Sequence, residues 1–176
     1  MAIEIEIKAW LRRPDESRAL VEASCVFEKD FVKVDVYFTT PKGSALRVRK
    51  EDGESVCTWK EKTLQDGLEV NDENELCVSD GPLFMELLEK LGCVRSMRKE
   101  KRGRRYSCRE LTVEVTEVEG LGLFVEAEKV LDTASPEDVA LWKKTLKTFL
   151  ADIGVESNDI EERPYSVLLE ERCREE

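Results

Sequence analysis

The chain has 176 residues, of which 41% are hydrophobic and 38% charged, and its formal net charge at pH 7 is -11. This length suits a single domain over residues 1–176 that buries a real core, and the hydrophobic fraction excludes a disordered tail. The acidic balance excludes a general binder of nucleic acid or of anionic membranes, because such a protein needs a basic face.

The residue types narrow the chemistry further. No histidine is present, which excludes histidine-based mechanisms, including serine and cysteine triads. The six cysteines are scattered without a Cys-x-x-Cys pair, so we expect reduced thiols and no zinc site. Any metal would be held by oxygen, which favours magnesium, manganese or calcium. No stretch has the length of a membrane span and no signal-peptide pattern is present, so we expect a cytoplasmic protein without a membrane partner.

Residues 4–8, Glu-Ile-Glu-Ile-Lys, predict a strand with two different faces. Successive side chains of a strand point to opposite faces. The isoleucines therefore share one face, and the other face carries Glu4, Glu6 and Lys8.

The rest of the chain predicts further strands of this kind, separated by turns and by three or four helices. Helices are predicted from Pro14 to about Cys25, from Asp80 to Leu91, from Ser135 to Gly154 and from about Asp159 onward, the last with Tyr165, Leu168 and Leu169 on its apolar side. Strands are predicted over 31–38, 45–50, 55–62, 68–78, 93–107 and 110–118, followed by one that carries Glu126 and Glu128. We expect an irregular tip in the strand over 93–107, because Gly103 interrupts it. The order is typical of an α+β domain on an antiparallel sheet.

The charges are sorted by strand, with acids on the first, fifth and last strands and bases on the third and fourth. An open sheet with one wet face would fit the alternation alone. Eight strands can also close into a barrel, which removes exposed edges and puts the charged faces into the lumen. We therefore predict a closed eight-stranded antiparallel β-barrel, a tunnel, with helices packed outside.

Buried acids and bases on different walls need partners. A triphosphate held by lysine and arginine, with magnesium or manganese bridging it to carboxylates, satisfies both sets. Separate sites for a metal and for a basic ligand would also fit the pattern.

Several motifs in order resemble those of the CYTH, or triphosphate tunnel metalloenzyme, superfamily. The first is the ExExK pattern of residues 4–8. It is followed by Asp35-Val-Tyr-Phe38, Ala45-Leu-Arg-Val-Arg49, Thr58-Trp-Lys60, Glu73-x-Glu75, Gly120-Leu-Gly-Leu-Phe-Val-Glu-Ala-Glu128 and Arg163-Pro-Tyr165. The resemblance covers essentially the whole chain and is closest to the class IV adenylate cyclase-like and thiamine triphosphatase-like branch.

The resemblance implies roles for residues at the motif positions. Metal ligands would be Glu4, Glu6, Glu126 and Glu128. Phosphate ligands would be Lys8, Arg47, Arg49, Lys60, Lys101 and Arg163, with Lys8, Arg49 and Lys60 acting in catalysis. Glu73 and Glu75 would be further acids of the wall. The alternative for each residue is a structural ion pair of the tunnel.

Three positions depart from the family pattern. Thr116 stands where the family has an aspartate, and Glu114, two residues back on the same face, is the expected substitute as a metal ligand. Asn71 stands where the family has an arginine. Gly103 occupies an arginine position, for which Arg102, Arg104 or Lys99 could serve through a shifted register.

The resemblance implies an enzyme that uses Mg²⁺ or Mn²⁺ and acts on a small molecule containing a triphosphate, with homodimer formation. Our leading hypothesis is hydrolysis of the terminal phosphate of a nucleoside, thiamine or inorganic triphosphate. The alternatives are a class IV adenylate cyclase, which makes cyclic AMP and pyrophosphate from ATP, and a catalytically weak module that binds nucleotide or polyphosphate.

Overall fold

The computed structural model describes residues 2–65 and 68–175, and the side chains of residues 3–59 and 74–174. Within these residues the chain forms an α+β fold of eight strands, four α-helices and one short 3-10 helix (Ser157–Asp159). The strands are β1 (Ala2–Trp10), β2 (Val26–Thr39), β3 (Ala45–Glu51), β4 (Glu54–Gln65), β5 (Leu68–Val78), β6 (Val94–Cys108), β7 (Leu111–Val118) and β8 (Gly122–Leu131). The helices are α1 (Pro14–Ser24), α2 (Gly81–Lys90), α3 (Pro136–Asp152) and α4 (Tyr165–Glu175). In the described part of the chain, no helix is long and apolar enough to cross a membrane.

All the strands pair in antiparallel fashion, in the order β1-β5-β4-β3-β2-β6-β7-β8. The sheet is strongly curled, because β1 pairs with β5 along one edge and with β8 along the other. The α+β class and the curled antiparallel sheet of eight strands are as predicted. The alternative of an open sheet with one wet face does not describe this arrangement, since the charged faces turn inward.

Much of the aliphatic surface of the strands lies outward under the helices, whereas Val32 and Leu76 are exposed. One core joins Ile5 and Ile7 of β1 and Val113 of β7 to Leu146 and Leu150 of α3. A smaller core lies between α2 and the outer faces of β2, β3 and β4. Successive side chains of a strand point to opposite faces, so the charged side chains of these strands point into the interior of the curled sheet.

Turn and cap residues act where the sequence predicts them. Asp52 and Gly53 have φ angles of 52° and 86°, the positive values that a two-residue hairpin turn requires. The Ser135 side chain accepts a hydrogen bond from the Asp138 backbone and the Asp138 carboxylate accepts one in return, so α3 begins with a capping box. These local contacts fix the ends of β3, β4 and α3.

The register of β6 against β2 shifts near the start of β6, between Tyr37 and Phe38 of β2, so the predicted irregularity does not lie at Gly103. Strand β6 is continuous through this residue, which pairs with Phe31 on one side and Thr116 on the other. A Cβ at this position would lie 2.8 Å from the Thr116 Cα and still closer to the Val115 carbonyl oxygen. The glycine therefore permits a close approach of β6 and β7 and does not break the strand.

We expect Gly103→Ala to destabilise the fold by about 1–3 kcal/mol, since the obstructing atoms belong to the backbone of β7 and cannot move aside cheaply. Chemical denaturation measures this change. Gly81→Ala is the matched control with a smaller expected loss, because its added Cβ would meet only side-chain atoms of Ser55: the Oγ can rotate away, and the Cβ lies at 3.0 Å. Equal losses for the two variants would contradict the close-approach explanation.

The predicted helix from Asp159 is also wrong in its start. After the 3-10 helix the chain is extended: Ile160 forms a β-bridge with Ala9, and the Glu161 N–H donates to the Lys8 carbonyl at 2.9 Å. Helix α4 begins only at Tyr165, because Pro164 disfavours the helical conformation of the residue before it. The segment is thereby fastened along β1.

Candidate functional site

The curled sheet encloses a cavity of about 910 Å³ whose lining is dominated by charged side chains. Among the described residues the acids are Glu4, Glu6, Glu51, Glu75, Glu114, Glu126 and Glu128, and the bases are Lys8, Lys33, Arg47, Arg49, Lys99, Lys101 and Arg105. The two sets are equal in number, so this lining is near neutral although the chain as a whole carries -11. The cavity can therefore accept an anion that the net charge would repel.

The basic wall is built by β2, β3 and β6. Lys33 and Lys101 are register partners on β2 and β6, and both are almost fully buried. Burial, and then repulsion from Lys101, lower the pKa of Lys33 to about 8. Burial acts in the same direction on Lys101, but the Glu126 carboxylate outweighs it and raises the pKa of Lys101. Lys101 is therefore held charged inside the cavity.

Asp35 anchors two further cations of this wall. Its carboxylate accepts two hydrogen bonds from the Arg49 guanidinium, at 2.7 and 3.0 Å, and lies 3.0 Å from the Lys99 Nζ. Asp35 is fully buried. Burial opposes its ionisation, but the charges of Lys99 and Arg49 hold the pKa of Asp35 well below its usual value. The carboxylate thus fixes both cations without facing the ligand space itself.

The charge of Arg47 is less fully neutralised by nearby carboxylates than the charges of Arg49, Lys99 and Lys101. Its Nη2 donates to the Thr58 hydroxyl at 2.9 Å, and the same atom lies 3.9 Å from the half-exposed Glu75 carboxylate. Its Nε is buried without a hydrogen-bond partner among the described residues. A buried donor left unpaired is costly, which makes this guanidinium a candidate to bind a ligand anion.

Carboxylates gather on the opposite wall, where β1 meets β8. Glu6 and Glu128 are register partners, and Glu4 forms a hydrogen bond with Glu128. Burial, then Glu4 and Glu6, raise the pKa of Glu128 well above its usual value. Like charges placed directly opposite each other are destabilising, so negative charge is crowded around Glu128, while Lys8 faces Glu126 further along the same pair of strands.

The donor chemistry of this wall suits Mg²⁺ or Mn²⁺, which prefer carboxylate oxygens. Within the described residues, however, no three acidic or cysteine side chains already converge as a metal cage. The crowded carboxylates therefore fit a divalent ion by type and by charge, and would have to close around it on binding.

The structure brings most of the predicted site residues to one cavity. Those that line it are Glu4, Glu6, Lys8, Arg47, Arg49, Glu75, Lys101, Glu114, Glu126 and Glu128. The side chains of Lys60, Glu73 and Asn71 lie outside the described residues, although the backbones of Lys60 and Glu73 pair across β4 and β5.

Arg163 is not brought to the cavity. Its guanidinium is half-exposed and is held by the Glu161 carboxylate, at 2.7 and 2.8 Å, and by Glu171 at 2.8 Å. These two carboxylates occupy the guanidinium donors that the expected phosphate would need. Arg163 therefore lies on the outside of the C-terminal segment, paired with acids of that segment.

Sequence reasoning missed Lys33 and Arg105 as members of the site and named Lys99 only as one of three alternatives. Lys33, Lys99 and Arg105 all point into the cavity. The signal was present, because Lys99, Lys101 and Arg105 alternate on β6 and therefore share a face. The same register rules out a shift to Arg102 or Arg104, whose side chains point outward to Glu100 and to Glu22.

An aromatic cluster adjoins the cavity through Tyr165. Tyr165 of α4 stacks edge-on against Phe124, with ring centroids 4.9 Å apart, and Phe124 contacts Trp10 at 4.1 Å. Tyr165 was expected on the apolar side of its helix; it does join an apolar cluster, and it also lines the cavity beneath Lys8 and Lys99. Burial and then Glu126 raise the pKa of the Tyr165 hydroxyl well above its usual value.

Comparisons with known proteins agree with this arrangement. A model of the CYTH domain matches residues 2–165. A Methanocaldococcus jannaschii protein, provisionally named an adenylate cyclase, is 26% identical in an alignment of 173 residues that covers 93% of this chain and 96% of that protein.

Two solved structures extend the comparison. The Pyrococcus horikoshii protein PH1012 is 30% identical, with a TM-score of 0.82 over 94% of this chain and 99% of its own. A Hippeastrum protein, provisionally an adenylyl cyclase and described as revealing a dominant triphosphatase activity, has a TM-score of 0.64 and 21% identity over 97% of this chain and 96% of its own. At that identity the second likeness concerns the fold.

Proposed function

Because the chain belongs to the CYTH domain family, we propose that it is a divalent-metal-dependent enzyme that binds a triphosphate in the cavity and hydrolyses its terminal phosphate. The proposal treats residues 1–176 as one domain and the curled sheet as a closed tunnel around the ligand. The observation that carries it is the sorting of charge inside one cavity, with cations from β2, β3 and β6 facing a crowded carboxylate wall from β1 and β8.

The basic side chains supply the binding energy and the electrostatics. Arg47, Arg49, Lys101 and Lys8, together with Lys60, would hold the phosphate oxygens, and Arg47 has a donor available for this purpose. In the reaction a water oxygen bonds to the terminal phosphorus, the bond from that phosphorus to the bridging oxygen breaks, and the remaining diphosphate leaves. Fixed cations stabilise the charge on the transferring group in the transition state.

Glu4, Glu6, Glu126 and Glu128 are the residues that would hold Mg²⁺ or Mn²⁺. When bound there, the ion would act as a Lewis acid that neutralises phosphate charge and relieves the repulsion among the carboxylates. Lys101 already bonds one oxygen of Glu126, which links the basic wall directly to the proposed metal wall.

A second candidate function is that of a class IV adenylate cyclase. It is favoured by the provisional name of the M. jannaschii relative, which covers nearly the whole chain. In that reaction the ribose 3′-hydroxyl of ATP attacks the α-phosphorus and pyrophosphate leaves. The same cavity would serve, with the triphosphate bound so that a different phosphorus faces the nucleophile.

Incubation with Mn²⁺ and tripolyphosphate, thiamine triphosphate or ATP separates these reactions by product. Orthophosphate from one of these triphosphates supports the hydrolase, and cyclic AMP with pyrophosphate supports the cyclase. EDTA is expected to abolish turnover in either case. Tight binding of tripolyphosphate without turnover at any Mn²⁺ concentration would replace both with a binding module, and the absence of binding and of turnover would refute the proposal.

A further inference from the structure

Glu114 of β7 contacts three cations. Its Oε1 accepts a hydrogen bond from the Lys33 Nζ at 2.5 Å and two from the Arg105 guanidinium, at 2.7 and 3.1 Å. Its Oε2 forms an ion pair with the Lys101 Nζ at 2.9 Å and accepts no hydrogen bond from the described residues. Glu114 is 6% exposed, so these contacts form in a largely water-free part of the cavity.

The pairing of β2 with β6 creates the need for such an acceptor. It sets Lys33 directly opposite Lys101, and like charges at opposed positions repel. Both ammonium groups lie over the Phe31 ring, at 4.5 and 5.9 Å from its centroid. Glu114 supplies the negative charge from the neighbouring strand, and the two lysines can then remain buried side by side.

We infer that Glu114 is a positioning residue of this site, which holds Lys33, Lys101 and Arg105 in place, and that it does not ligate the metal. The inference rests on the proposed function and corrects the expectation that Glu114 replaces the aspartate missing at Thr116. Both oxygens of Glu114 already face cations, and three positive groups around one carboxylate repel a divalent ion.

Thr116 does not take over the missing role. It is 1% exposed and its hydroxyl has no hydrogen-bond partner among the described residues. It stands opposite Gly103 and Phe124 on the neighbouring strands. The metal in this chain is therefore left to the carboxylates of β1 and β8, and β7 contributes a residue that organises the basic wall.

Fixed cations matter for the proposed chemistry because an error of about 1 Å in a charged group can cost about 100-fold in rate. We expect Glu114→Gln to lower kcat with tripolyphosphate about 10- to 100-fold. The Mn²⁺ concentration that gives half-maximal activity should change less than about threefold. Glu117→Gln is the matched control, since Glu117 is exposed on the outer face of the same strand, and it should retain full activity.

Two readouts do not depend on turnover. In crystals of the full chain soaked with Mn²⁺ and tripolyphosphate, anomalous density is expected beside Glu4, Glu6, Glu126 or Glu128, with Glu114 outside the coordination shell. In ¹⁵N NMR spectra, the ammonium signals of Lys33 and Lys101 should be protected from exchange in the unsubstituted protein and lost in Glu114→Gln. If that variant fails to fold, Glu114→Asp keeps the charge and is expected to lower kcat through its shorter reach.

The inference is overturned if Mn²⁺ coordinates Glu114, if Glu114→Gln raises the Mn²⁺ requirement tenfold or more, or if it leaves kcat and the lysine signals unchanged. A protein that does not act on any triphosphate would refute the proposed function instead. The soak and the NMR spectra would still decide what Glu114 holds.

Discussion

Replacing Lys8 by methionine is expected to lower kcat/KM for the preferred triphosphate at least about 100-fold. Lys8 is 6% exposed, lines the cavity and stands opposite Glu126 in the pairing of β1 with β8. It therefore lies where the carboxylate wall and the proposed phosphates meet. Removing one charged donor from a transition state of this kind usually costs about 10²- to 10³-fold in rate.

Lys50→Met is the matched control for this variant. Lys50 lies on β3 next to Arg49, but its side chain is exposed on the outer face of the sheet. Product formation should be measured at several Mn²⁺ concentrations, with melting temperatures recorded for both variants. A Lys8 variant that keeps its fold and its activity would remove Lys8 from the site, and equal losses in both variants would show that the effect is not local.

Asp35→Asn is expected to destabilise the protein by about 3–5 kcal/mol, because it leaves the buried charges of Arg49 and Lys99 without their common partner. Asp35 is 0% exposed and contacts both cations within 3.0 Å. Asp30→Asn is the control on the same strand. The Asp30 side chain is 76% exposed and its contact with Arg104 is 3.4 Å long, so its loss should cost less than about 1 kcal/mol.

Chemical denaturation checks this prediction, and the double variant Asp35→Asn with Lys99→Met sharpens it. Removing both charges should cost less than the sum of the two single changes, because the unpaired cation disappears with its partner. Additive costs for the two changes would contradict the coupling.

The pKa of Asp35 is held below its usual value. The contribution of Asp35 to the free energy of unfolding is therefore present above about pH 4 and is lost as the pH falls through the lowered pKa.

Much of the site could be predicted from alternation along single strands. Once Glu4, Glu6 and Lys8 share a face, the same rule on β3 and β8 places Arg49 and Glu128 on faces that can meet. The turns at Gly53 and Ser135 were predictable for a related reason, since each depends on only a few neighbouring residues. Local rules therefore fixed which side chains point inward.

Pairings between distant strands could not be predicted in this way. That Lys33 stands opposite Lys101, and that Glu114 reaches both, depends on the register of three strands, which no single strand encodes. Arg163 illustrates a second limit. Its motif position suggested phosphate binding, but Glu161 and Glu171 compete for the guanidinium, and only the folded chain brings those carboxylates within reach.

The double pairing of β1 also constrains how the protein folds as it is made. Ile3 pairs with Asp72 on one side and with Leu131 on the other, so β1, which is synthesised before the other strands of this sheet, waits for its second partner until β8 has been synthesised. Contacts between residues so far apart in sequence are slow to form. Until then β1 presents an unpaired edge to other chains, and its alternating Glu4, Glu6 and Lys8 charges serve in that interval to oppose edge-to-edge association.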